Sequence, residues 1–300
     1  MKIISNVEEL RNELKSLQKE KGADVKADVK VGLVPTMGAL HKGHLSLIEK
    51  CRSENEIAVV SIFVNPTQFG PNEDYDKYPR TLDADSKLCE KAGVDIVFAP
   101  SPRDIYDEYY FTHKETTLIC PPYDVVNKLC GKTRPGHFDG VCTIVGKLFN
   151  ITKCDRAYFG KKDAQQLFII KKMVRELNFD IEITGCPIVR EEDGLAMSSR
   201  NTYLTEDARK KALNISRGLY KAKELHKKGV KEADTLTDTA LAYMEGLDVE
   251  YAEIVSVDTF EKIDIIEKDP KSKESTAIML VAAKVSSGNS TVRLIDNIDL

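Results

Sequence analysis

The apolar positions fall into two textures along the chain. Val7, Leu10, Leu14 and Leu17 recur three and four apart, which predicts a helix with one buried face at the start. A lysine-rich loop follows. Then come short apolar runs at 31–34, 57–64 and 95–98, read as strands, the first ended by Pro35 and the third stopped by Pro100. Helical stretches at about 41–53 and at 81–92 separate them, the second ending at Gly93. The 57–64 run is β-branched and nearly continuous, as a strand covered on both faces requires. The alternation continues: helix 141–150, strand 156–159, helix 164–177, strand 180–184. Strand and helix in strict turn predict a parallel α/β sheet with right-handed crossovers.

After Pro187 the order changes to helix, helix, strand, strand, strand, at 205–228, 233–244, 251–257, 277–285 and 291–298. The fold class is therefore α/β: a Rossmann-like parallel-sheet domain over 1–187, and a smaller α+β C-terminal domain over 188–300. Lys227-Lys228 and the 268–274 segment read as solvated surface.

Composition narrows the classes. The chain has 300 residues, 42% hydrophobic and 31% charged, enough apolar side chain for two cores and too much for a disordered chain. Its net charge of −4 argues against nucleic acid as a partner. No stretch approaches the length of a membrane span, and the charged start lacks the apolar run of a signal peptide. Seven cysteines, odd in number and without C-x-x-C spacing, read as reduced thiols in a cytoplasmic protein. No metal-ligating set stands out.

Candidate chemistry concentrates in four segments. The first is Pro35-Thr36-Met37-Gly38-Ala39-Leu40-His41-Lys42-Gly43-His44, between the first strand of the alternating series and its helix. Ligands of open α/β sheets bind at the carboxyl ends of strands, and a helix start there offers unpaired N–H groups to phosphate. Gly38 permits the turn, and His41 and His44, three apart, share one face of the first helical turn. Two surface histidines at a helix start, or a metal pair, are the alternatives; a third ligand is missing nearby. The second segment, Phe63-Val64-Asn65-Pro66-Thr67-Gln68-Phe69, places Asn65 and Gln68 at the sheet edge, where amides grip hydroxyls and a carboxylate. The third, Gly160-Lys161-Lys162-Asp163-Ala164-Gln165-Gln166, sets Lys162 for phosphate, Asp163 for ribose or a solvated Mg²⁺, and Gln166 one turn further in. Both segments are also compatible with ordinary turns. The fourth, Met197-Ser198-Ser199-Arg200-Asn201, reads as a mobile loop whose hydroxyls and guanidinium clamp phosphates.

A histidine pair of this spacing followed by such a Ser-Ser-Arg loop resembles the nucleotidylyl-transferase superfamily. Together with Arg134-Pro135-Gly136-His137-Phe138-Asp139-Gly140-Val141, and in this order, the segments resemble the pantothenate synthetase (pantoate–β-alanine ligase) family, densely over 31–204. The resemblance implies ATP-dependent ligation of pantoate and β-alanine through pantoyl-adenylate, with Mg²⁺, in a homodimer. It puts ATP on Met37, Gly38, Ala39, Leu40, His41, Lys42, Gly43 and His44, on Gly160, Lys161, Lys162 and Asp163, on Val189, and on Met197, Ser198, Ser199 and Arg200. It puts pantoate on Gln68 and Gln166 and the proton donor on His44. The residue types add His41, Lys162 and Arg200 as charge-stabilising donors and Asn65 as a further substrate contact. Thr67 and Lys161 stand where this family often has Met and Glu, and His137 is open between a role in closing the site and a structural one. A transferase acting on a phosphorylated acceptor would want basic residues in place of Gln68 and Gln166. A tRNA synthetase would want a basic domain, and a nucleotide sensor would have less use for both phosphate motifs.

Overall fold

A computed structural model describes residues 1–24, 29–71, 73–267 and 275–300. The 268–274 surface segment lies outside them. The described chain divides into two units: Met1–Lys161 with Gln166–Pro187, and Lys162–Gln165 with Ile188–Leu300.

In the first unit, six strands form one sheet: β1 (Lys2–Ile4), β2 (Val31–Thr36), β3 (Ile57–Ile62), β4 (Ile96–Phe98), β5 (Arg156–Gly160) and β6 (Glu182–Cys186). Their order is β1-β4-β3-β2-β5-β6, and each neighbouring pair is parallel. Strand order reverses between β2 and β5, which pair through Gly32↔Arg156 and Leu33↔Ala157. That makes the carboxyl end of β2 a topological switch point. Helices cover both faces: α1 (Val7–Asp24), α2 (Lys42–Glu54), α3 (Leu82–Lys91), four short helices α4–α7 (Pro102–Ile105, Glu108–His113, Tyr123–Val126, Leu129–Thr133), α8 (His137–Thr152) and α9 (Ala164–Glu176). Alternate strand residues feed opposite cores: Leu33 and Val59 pack with Phe138, Leu148 and Ile170, whereas Val34 and Val60 pack with Ile48, Cys51 and Cys89.

Several boundaries differ from the sequence pattern, and three of the differences have a visible cause. β2 runs through Pro35 to Thr36 rather than stopping there. Its pairing with β5 covers only Gly32 and Leu33, so on that side the missing proline N–H breaks no ladder. α8 starts at His137, four residues early, because Gly140 belongs inside it. A Cβ on Gly140 would sit 2.4 Å from the Thr67 carbonyl oxygen, so glycine permits the helix to touch that turn. β6 begins at Glu182 rather than Asp180, because Asn178 (φ 54°) and the Phe179 N–H bond to Val174 first complete a helix-end turn.

The second unit packs α10 (Glu206–Lys227) and α11 (Ala233–Tyr243) with an antiparallel meander of β7 (Asp248–Ser256), β8 (Ala277–Ser287) and β9 (Ser290–Asp299). Leu219, Leu236, Met279 and Val281 belong to its separate core. The overall class is the expected one, α/β with a small α+β part.

Candidate active site

At the carboxyl end of β2, Thr36 Oγ1 donates to the Ser61 carbonyl (2.7 Å) and accepts the Gly38 N–H (3.2 Å). Gly38 takes φ 82° and Ala39 φ 50°, so the chain turns sharply before α2. Asp85 of α3 holds the turn. It is 2% exposed, and its carboxylate accepts the N–H groups of Ala39 (2.9 Å) and Leu40 (2.8 Å) and the Thr81 hydroxyl (3.0 Å). Sequence reading passed over Asp85; the available signal was an acid on the otherwise buried face of a helix.

His41 is the N-cap of α2 and His44 follows one turn later. His41 Nδ1 accepts the Gly43 N–H (3.1 Å), and His44 Nδ1 accepts the His41 N–H (3.4 Å); the ring centroids are 4.1 Å apart. With both Nδ1 atoms accepting, Nε2 is the ring position left to each imidazole as a donor. Several of the N–H groups expected to be open at this helix start are engaged within the protein. The N–H groups of Ala39, Leu40, His41 and Gly43 all have side-chain acceptors, and the ring position left to each imidazole as a donor is Nε2.

Beyond β3, Asn65 caps a 3₁₀ turn, Pro66–Gln68. Gln68 accepts from Asn65 Nδ2 (3.2 Å) and points its own amide nitrogen at the Met37 sulfur (3.1 Å). Asn65 itself is 1% exposed and wholly engaged: Nδ2 donates to the Gly140 carbonyl (3.1 Å), and Oδ1 accepts the Tyr106 hydroxyl (2.6 Å) and Thr67 Oγ1 (3.1 Å). Asn65, expected as a further substrate contact, is thus bonded within the protein and orients Gln68. Burial pushes the Tyr106 hydroxyl up to about 12, which keeps it a neutral donor. Thr67 joins the same network through Tyr106 (3.1 Å).

His137, left open by the sequence, is buried with a partner at each ring nitrogen. Its Nδ1 lies 2.9 Å from the Gln68 carbonyl and its Nε2 lies 2.9 Å from Arg134 Nη1. Arg134 in turn grips Glu73 through two bonds of 2.7 and 2.6 Å. Burial raises the Glu73 carboxyl, but the Arg134 hydrogen bonds and charge outweigh that and bring it below its ordinary value.

Gly160 ends β5, and the Lys161 N–H donates to the Cys186 carbonyl (2.8 Å) with the Lys161 side chain exposed. Gln166 is half-buried in the first turn of α9, and Gln165 is fully buried.

In the second unit, Lys162 Nζ donates to the Met197 carbonyl (3.4 Å) and lies 3.9 Å from the Asp163 carboxylate. The Met197 N–H bonds the Val189 carbonyl (3.0 Å). The Ser-Ser-Arg segment is not the expected loop. It forms a 3₁₀ turn, Ser199–Tyr203, whose cap Ser198 Oγ accepts the Arg200 N–H (3.3 Å). Asn201 anchors it, donating to Glu191 (2.6 Å) and to the Ala196 carbonyl (3.0 Å). Among the described residues no three His, Cys, Asp or Glu gather to hold a metal ion, and no helix is long and apolar enough to cross a membrane.

A sequence model of the pantoate-β-alanine ligase family matches residues 2–299. The pantothenate synthetase of Caldicellulosiruptor saccharolyticus is 48% identical over 301 residues, 99% of each chain. The chain belongs to the pantoate-β-alanine ligase family. The pantothenate synthetase of Acetivibrio thermocellus is 51% identical over 271 residues, 89% of this chain and 90% of that protein. Among solved structures, pantothenate synthetase from Thermus thermophilus superimposes with a TM-score of 0.86 at 39% identity, covering 100% and 99% of the two chains. The Francisella tularensis pantoate-β-alanine ligase, complexed with β-γ ATP and β-alanine, gives 0.73 at 35% identity, covering 100% and 97%.

Proposed function

We propose that the chain joins pantoate to β-alanine with ATP as co-substrate, through pantoyl-adenylate, releasing pyrophosphate and then AMP. A carboxylate cannot expel oxide when an amine attacks it, so its oxygen must first become a leaving group. In the first step a pantoate carboxylate oxygen attacks the α-phosphorus of ATP and pyrophosphate departs. In the second, the deprotonated amine of β-alanine attacks the acyl carbon and AMP departs. Neither step needs a covalent bond to the protein. Positioning and charge stabilisation carry the rate.

The observation that carries this reading is the imidazole pair at the head of α2. Each ring is locked by its Nδ1 acceptor bond so that Nε2–H is the donor, at the switch point where a nucleotide phosphate belongs. His44 and His41 are assigned to phosphoryl oxygens, with Lys162 and Arg200 as further cationic donors. The remaining ATP contacts are assigned to the 37–43 and 160–163 segments, Val189 and 197–199. Gln68 and Gln166 are assigned to pantoate. For Gln68 the support is chemical: a thioether is a weak acceptor, so a pantoate oxygen displaces Met37 sulfur from the Gln68 amide at little cost.

Mg²⁺ is part of the proposal. The Asp163 carboxylate is 47% exposed beside Lys162, which suits an ion carried mostly by phosphates and water. When bound, the ion neutralises phosphate charge, and Asp163 is the residue that would touch it. A cytoplasmic homodimer is proposed on the family resemblance.

The test follows the two steps. Pyrophosphate release should require ATP and pantoate but not β-alanine, whereas release of free AMP should require β-alanine. AMP release independent of pantoate would overturn the assignment.

A further inference from the structure

Lys162 belongs to the second unit, and what fixes it there is the last strand of the chain. On β9, Asn297 Nδ2 donates to the Lys162 carbonyl at 2.9 Å, across 135 residues. Asn297 and its neighbour Asp296 are 2% and 5% exposed. Asp296 accepts both terminal nitrogens of Arg190 (2.6 and 3.0 Å) and the Asn297 N–H (2.8 Å). Arg190 bridges to Ala196, the Met197 N–H bonds Val189, and the Met197 carbonyl accepts from Lys162 Nζ. With the backbone between chain neighbours, these bonds close a ring: Lys162, Asn297, Asp296, Arg190, Ala196, Met197 and back to Lys162. A buried ion pair adds little net stability, because desolvation offsets most of its attraction, yet it constrains geometry strongly.

We propose that Asn297, held by the Asp296–Arg190 pair, is a positioning residue that sets the backbone from which the Lys162 ammonium reaches ATP. The proposal rests on the reading of Lys162 as a phosphate ligand. Asn297 makes no contact with substrate in it and acts only through Lys162.

A double-mutant cycle on the full-length protein separates positioning from plain stability. ATP binding is measured by calorimetry in the parent, Asn297→Ala, Lys162→Ala and the double variant. The loss of one buried hydrogen bond predicts about tenfold weaker ATP binding in Asn297→Ala. The pantoate KM should stay within about twofold, and the same substitution in the Lys162→Ala background should change ATP binding by less than about twofold. A folded Asn297→Ala protein that binds ATP like the parent overturns the proposal. So does an equal loss in both backgrounds, which leaves the assignment of Lys162 standing. A Lys162→Ala protein that binds ATP like the parent takes down both. If the alanine variant does not fold, Asn297→Leu fills the volume without a donor and is read the same way.

Discussion

In the proposed reading, His44 and Lys162 each supply a donor to a phosphoryl group whose charge grows during transfer. His44→Ala and Lys162→Ala should each slow pantoate-dependent pyrophosphate release by about 10²–10³, the scale of one lost transition-state donor. Near-parental rates in both would refute the roles. Gln68→Ala should chiefly raise the pantoate KM with kcat less affected, and an unchanged pantoate dependence would remove Gln68 from the site. The histidine pair was legible because both its spacing and its mates, Gly38 and Gly43, lie within one short segment. Asp85 and Asn297 were not, because their partners are 46 and 135 residues away. The partners of Asn65 were hidden for the same reason. An amide at a strand end looks available until Tyr106 and Gly140 are brought onto it.

At the scale of elements, the turn that carries Gln68 depends on how closely α8 can approach. Gly140 has no room for a side chain, since its Cβ would meet the Thr67 carbonyl carbon and oxygen and the Gln68 Cα within 2.6 Å. All are backbone atoms and cannot rotate away. Gly140→Ala should therefore destabilise the protein by about 1–3 kcal/mol, the range for overpacking, and raise the pantoate KM together with it. Denaturant unfolding and steady-state kinetics read the two effects. A variant with parental stability and parental KM would show that α8 does not set that turn. The helix itself was legible from residue 141 onward, where its apolar pattern is dense. Its first turn was hidden because glycine is a poor helix former, and only contact with the turn explains why one stands there.

Across the molecule, one carboxylate ties distant parts of the first unit's sheet to its helices. Asp95 accepts from Lys21 of α1 (2.8 Å), from Arg52 of α2 and from the Ala58 N–H of β3 (2.8 Å). Burial raises its carboxyl, but those hydrogen bonds and the Arg52 and Lys21 charges outweigh burial and hold it below its ordinary value of 3.8. A depressed folded-state value means the contribution is complete above the unfolded value and is lost as pH falls through the folded one. Asp95→Asn should thus lower stability by about 2 kcal/mol at pH 7, with the gap to the parent closing below pH 3.8. A gap of equal size at pH 7 and at about pH 3, measured by denaturant unfolding, would contradict the assignment. The alternation of strands and helices, the change of texture after Pro187 and the order of the phosphate motifs are local periodicities and short strings, so the sequence by itself determined the fold class and the family resemblance. Which strands are neighbours, where their order reverses, which backbone donors are already occupied and which acid holds the turn before α2 were decided only by the tertiary structure. Those depend on contacts between residues far apart in the chain, and no local pattern of apolar and polar positions encodes them.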